Sequence, residues 1–146
     1  IWNTYYKKVT ILDRDKLIQE LLKVIAEYTQ KLPVLIHPKC FEELMQLLYA
    51  SGSEKAFMKK LSEFLDIIYS NPTTFFFSTG LENPKGEPDI YSMRFKLKDK
   101  NIRILFSLQD GNLLALTAFH ERSGKKISSY MSYFPTAHER LNAMTK

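Results

Sequence analysis

Residues 91–109 alternate between apolar and polar side chains with a period of two, and nothing else in the chain constrains its fold so tightly. Tyr91, Met93, Phe95 and Leu97 fall on one face of a strand, with Ser92, Arg94, Lys96 and Lys98 on the other. Such alternation marks a half-buried strand. Ile102, Ile104, Phe106 and Leu108 repeat it against Arg103, Leu105, Ser107 and Gln109. Residues 112–119 are apolar on both faces, which predicts a strand covered on both sides. Asp99-Lys100 and Asp110-Gly111 separate the three segments, and Asp-Gly between such runs is a strong hairpin signal.

Two-residue loops at both turns would set the register. Phe95 would face Ile104, and Lys96 would face Arg103. In the second hairpin Ile104 would face Thr117, Ile102 would face Phe119, and Arg103 would face Ala118. One face of the sheet becomes a core surface of Phe95, Ile102, Ile104, Phe106 and Phe119. The other carries Arg94, Lys96 and Arg103, with His120 one diagonal step from Arg103. Like charges directly across a ladder repel, so a cationic pair with no acid in the cluster reads as an anion site. Ordinary solvated lysines on a sheet face are the alternative.

The charge distribution bears on that choice. Residues 1–84 hold ten Lys/Arg and ten Asp/Glu, whereas residues 85–146 hold eleven and six, so the net +5 lies entirely in the strand-rich half. Basic charge confined there is the footprint of a phosphate-binding surface, or of a docking face for an acidic protein. A chain of 146 residues with 45% hydrophobic and 25% charged residues is expected to form one domain with a real core. No apolar run approaches the roughly 18–20 residues that cross a bilayer, and there is no signal-peptide pattern. Ile1 in place of an initiator Met suggests a trimmed or processed chain. The single Cys40 excludes an internal disulfide and fits a reducing cytoplasm. It reads as a structural thiol, and three scattered His make a metal site an unlikely expectation.

Along the chain, residues 2–12 read as an opening or edge strand. Asp13 and Asp15 are candidate N-caps for a helix carrying Leu17, Ile18, Leu21, Leu22, Ile25, Tyr28 and Leu32, ended by Pro33. His37-Pro38 opens a second helix with proline in its first turn, and His37 reads as a cap or surface residue. Phe41, Leu44, Met45 and Leu48 form its buried stripe, and Gly52 is placed to cap its end. Ser51-Gly-Ser-Glu54 starts a third helix lined by Phe57, Leu61, Phe64, Leu65 and Ile68, which stops at Asn71-Pro72. Residues 73–79 (TTFFFST) are either a strand or an apolar plug. Residues 80–89 read as a surface loop, residues 127–134 as a short strand or extended segment, and Pro135-Thr136 opens a short terminal helix. The fold class expected is α+β: an N-terminal strand and two to three helices on one face of a small antiparallel sheet, with a short C-terminal helix.

Tyr91 with Arg94 on the first central strand, Arg103 opening the next, Phe119-His120 ending an apolar strand, Lys125-Lys126 after it, and Ala137-x-x-Arg140 in the terminal helix together resemble the RelE/ParE superfamily of bacterial toxins, in its HigB-like, phage-derived branch. The likeness covers residues 85–127 well and the preceding helices loosely, and it rests on order and spacing. The chain departs from the pattern in its longer first 84 residues, in the stretch His-Glu-Arg-Ser-Gly-Lys-Lys, and in Tyr130 and Tyr133.

The resemblance implies the toxin of a type II toxin–antitoxin system: an mRNA interferase that cuts message in the ribosome without a metal or cofactor. The ribose 2′-OH would attack the adjacent phosphorus, leaving a cyclic phosphate. That chemistry needs in-line positioning, cations on the developing phosphorane, and proton transfer. Arg94 and Arg103 suit bidentate phosphate contacts, and His120 is the candidate general base or acid. Lys96, Arg122, Lys125 and Lys126 add RNA-binding charge, and Tyr130 and Tyr133 are placed to stack on bases. Tyr91 falls on the core face. The implied partners are mRNA, the ribosome and a cognate antitoxin carrying a helix-turn-helix domain; no membrane is expected, and the compartment is the cytoplasm. The alternatives are a ParE-like inhibitor of DNA gyrase acting by protein binding, and an inactive regulatory module of the same fold.

Overall fold

The computed structural model describes residues 14–98, 100–121 and 130–146. The strand expected over residues 2–12 and the candidate cap Asp13 lie outside them. Helix α1 (Arg14–Glu27) turns Leu17 and Leu21 into the core. It stops short of Pro33 because residue 32, preceding a proline, disfavours the helical region; a turn over residues 28–32 takes its place, with the Leu32 amide on the Tyr28 carbonyl at 2.7 Å. The Tyr28 hydroxyl donates to Asp66 at 2.7 Å, tying this turn to the third helix.

Pro33 is followed by a three-residue strand, β1 (Val34–Ile36), that periodicity cannot reveal at such length. Helix α2 (Pro38–Leu48) then begins as expected, with Pro38 in the first turn and His37 Nδ1 accepting the Lys39 amide at 3.1 Å. Helix α3 (Glu54–Ser70) buries Phe57, Met58, Leu61, Phe64, Leu65 and Ile68. Of the two readings of TTFFFST, the plug is what forms: Phe75–Phe77 is a single 3-10 turn whose Phe75 is buried against Tyr91 and Phe106.

The loop expected over residues 80–89 contributes a two-residue strand, β2 (Leu81–Glu82), before β3 (Tyr91–Lys96), β4 (Asn101–Gln109) and β5 (Asn112–Glu121). Among the described residues the sheet runs β1-β5-β4-β3-β2. It is mixed, because β1 lies parallel to β5 while the other pairs are antiparallel. Helix α4 (Phe134–Thr145) closes the chain, with Tyr130 and Met131 in a preceding helical turn where an extended segment was expected.

Two local features change the register. Asp110-Gly111 makes the expected two-residue turn, with φ of 52° and 81°, the pair of positive values that a type I′ hairpin requires. The first hairpin instead closes through residues 97–100, with the Leu97 amide on the Lys100 carbonyl at 2.9 Å. Phe95 therefore faces Ile102, and Arg94, not Lys96, faces Arg103. A two-residue slip preserves which side chains share a face.

The second feature does not. The pairing steps from Phe106↔Ala115 to Leu105↔Thr117, so β5 carries an extra residue, Leu116. Beyond this bulge every β5 side chain changes face: Phe119 now opposes Arg103, and His120 opposes Ile102. Phe119 thus leaves the core surface it was expected to share with Ile102. It joins Ile90, Leu105, Leu114 and Leu116 against Phe134, Ala137 and Leu141 of the last helix. The other face, with Met93, Phe95, Ile102, Ile104 and Phe106, packs under α1, α2 and α3. Strand β5 is covered on both sides, as its composition predicts.

Candidate functional site

Arg103 sits mid-strand on β4, 7% exposed, under the turn that leads into α4. Its Nε donates to Glu121 at 2.5 Å, and its Nη1 donates to Glu82 at 2.5 Å and to Ser92 Oγ at 2.9 Å. The Tyr130 ring lies 4.2 Å from the guanidinium carbon, a cation–π contact. Burial by itself would lower the Arg103 pKa, but the hydrogen bonds to Glu121 and Glu82 outweigh it and raise the value. Two carboxylates and a hydroxyl occupy the guanidinium fork, so Arg103 is a strut between β2, β4 and β5. The acid-free cluster expected on this face does not exist: β2 brings Glu82 in, and the bulge turns Glu121 toward Arg103. Glu82 was hidden in a loop, and Glu121 lay two residues beyond the expected strand.

Arg94 is the neighbour that keeps its charge available. The 94–103 pair is of the non-hydrogen-bonded kind, since the Arg94 amide is used on the outer side, by the Gly80 carbonyl at 2.8 Å. Side chains in such pairs stand close, and Glu82 and Glu121 offset the repulsion by neutralising Arg103 alone. Arg94 is half-buried, Lys96 is exposed, and neither pairs with a carboxylate among the described residues. Both line a groove of about 350 Å³ between the β3 edge and α3. Gly80 forms part of its wall with φ of +90°, and a Cβ there would come within 2.9 Å of Phe64 Cζ.

The other expected site residues are not gathered with Arg94. His120 is exposed and, being opposite Ile102, projects from the helix-bearing face. Tyr133 stacks on Phe119 with centroids 3.8 Å apart and planes within 5°. Tyr130 packs against Phe119 and Phe134 as well as over Arg103. Both partly buried rings are engaged in packing around Phe119. The Tyr130 hydroxyl is buried beside Ser92 and Glu82, and burial pushes its pKa up. Arg122, Lys125 and Lys126 lie outside the described residues.

A second ion cluster, unread in the sequence, satisfies the bulge. Glu43 Oε1 on α2 accepts the Ala118 amide and the Thr117 hydroxyl, each at 3.1 Å, in the region where the ladder is interrupted. Arg140 of α4 holds both Glu43 oxygens at 2.8 and 2.9 Å and donates to the Leu116 carbonyl. Glu43 and Arg140 therefore clamp helices from opposite faces of the sheet across the bulge. Cys40 lies one turn away, fully buried, its thiol pushed up to about 12 by burial and the Glu43 charge, which leaves it unreactive near neutrality.

Comparison with family models, curated proteins and solved structures found no match to this chain. Among the described residues no helix is long and apolar enough to cross a membrane.

Proposed function

We propose that the chain is a RelE/ParE-type toxin that cleaves mRNA on the ribosome, with Arg94 and Lys96 holding the scissile phosphate. The observation that carries this reading is the asymmetry of the 94–103 pair: one arginine is consumed by carboxylates, and the other lines the groove with Lys96 and has no described carboxylate on it. The meander, the helical layer and the terminal helix also follow the order of the family that the sequence resembles.

In this reaction the ribose 2′-oxygen forms a bond to phosphorus, the P–O5′ bond breaks, and the products are a 2′,3′-cyclic phosphate and a 5′-hydroxyl. The planar fork of Arg94 suits two non-bridging oxygens, and the Lys96 ammonium adds a point charge. Charge stabilisation of this kind is a large catalytic term, about 10²–10³ in rate per donor removed. Arg103 acts only by fixing the sheet, and the reading routes no proton through His120. An acidic segment of a cognate antitoxin would neutralise the protein by covering the Arg94–Lys96 edge.

The test is purified protein mixed with translating ribosomes and end-labelled message. Cleavage in the presence of a chelator, with cyclic phosphate on the upstream fragment, is the expected result. Intact message beside gyrase-dependent DNA breaks would replace this reading with the gyrase inhibitor.

A further inference from the structure

The groove beside Arg94 has a second cationic wall. Lys59 and Lys60 on α3 face Arg94 and Lys96 across it, and Glu63 is the one carboxylate among the described residues that line it. Lys60 Nζ lies 3.7 Å from Glu63 and 5.0 Å from the Phe64 ring centroid, and these two contacts hold its position. Lys59 is exposed and makes no ion pair with a described residue. Four cations, on two separate elements, line the groove against one acid.

We propose that this groove is a track for the backbone of single-stranded RNA, with Lys59 and Lys60 contacting phosphates next to the one held by Arg94 and Lys96. The inference rests on the RNA-cleaving reading and extends it to α3, which the resemblance does not assign to substrate. Two features favour a nucleic-acid strand over an acidic peptide. A peptide adding to a sheet needs several alternating free donors and acceptors along one edge. Here β2 and Gly80 already occupy the β3 edge up to Arg94, so of β3 only Phe95 and Lys96 lie beyond them. Phosphates running between two walls, in contrast, need only cations on both sides, and Lys59 and Lys60 face Arg94 and Lys96 across the groove.

The experiment titrates the full chain with a short fluorescein-labelled single-stranded RNA over about 50–200 mM salt. Each phosphate contact on a single strand contributes roughly 0.7 to the slope of log K against log salt. Lys59→Gln/Lys60→Gln is expected to flatten the slope by about 1.4 with an unchanged unfolding midpoint, while Lys55→Gln on the same helix leaves it unaltered. An unchanged slope in the double variant, with binding still lost in Arg94→Ala, overturns the track and leaves the RNA reading standing. Binding of a polyglutamate peptide in place of RNA overturns both.

Discussion

Arg94 and Arg103 oppose each other directly across the β3–β4 ladder, yet only Arg103 is enclosed by carboxylates. That asymmetry makes Arg103 structural and leaves Arg94 without a described carboxylate, and it governs what each substitution should do.

Arg103→Ala strands Glu121, itself 5% exposed, and removes the partner of Glu82. Removing one member of a buried ion pair costs about 3–5 kcal/mol, so the variant should unfold at much lower denaturant. A loss of growth inhibition in it would therefore report folding. Arg103→Met combined with Glu121→Leu should recover most of the stability, because a matched apolar replacement leaves no uncompensated charge. Urea titration of the single and double variants checks both statements.

Glu43→Ala leaves the Ala118 amide, the Thr117 hydroxyl and Arg140 without their shared acceptor. An expected cost of about 2–3 kcal/mol follows from the unsatisfied groups. Glu43→Gln keeps an acceptor at the bulge and should lose about 1 kcal/mol. Equal losses in the two variants would mean that the charge on Arg140, not the bulge amide, governs the clamp.

The meander, its Asp110-Gly111 turn and the double-sided burial of β5 were legible because period-two patterning and Asp-Gly chemistry act locally, whereas the Asp99-Lys100 turn closed two residues out of the expected register. Arg94 sharing a face with Arg103 was legible for the same reason, since a two-residue slip leaves faces intact. The bulge at Leu116 was not: a single inserted residue in a strand that is apolar on both faces leaves no mark in the hydrophobic pattern. That one residue brings Glu121 to Arg103 and sends His120 to the other side. The pairings of Glu82, Glu43 and Arg140 were likewise invisible, because their partners are 21, 75 and 97 residues away in sequence. The Lys59–Lys60 wall carried only one signal, two adjacent lysines on a helix, which also describes any solvated helix face.

His37 ties stability to pH. Burial, followed by the nearby Arg140 charge, holds its imidazole below the ordinary value of 6.5, and the neutral ring caps α2 through Nδ1. A base with a depressed folded pKa favours the neutral form in the native state, so its contribution is intact above pH 6.5 and is lost as pH falls below it. His37→Asn keeps a capping side chain without a titrating group. The difference in unfolding midpoint between the two proteins should grow in favour of the variant as pH is lowered from neutrality; a constant difference would show that the cap does not titrate.

Gly80→Ala places a methyl group 2.9 Å from Phe64 Cζ at a φ of +90°. Overpacking of this kind costs about 1–3 kcal/mol, and the displaced Phe64 would disturb the wall that carries Lys60. Thermal unfolding together with RNA titration should show both effects; a variant as stable as the parent would mean that the wall yields freely.

The most direct measurement is transcriptome-wide mapping of mRNA 5′ ends after brief induction of the chain and of Arg94→Ala, a variant expected to fold normally because no described carboxylate depends on it. The account predicts new ends within translated codons for the parent and their loss, by about 10²–10³-fold, in the variant. Codon-internal ends at equal frequency in both, or none in either, would contradict it.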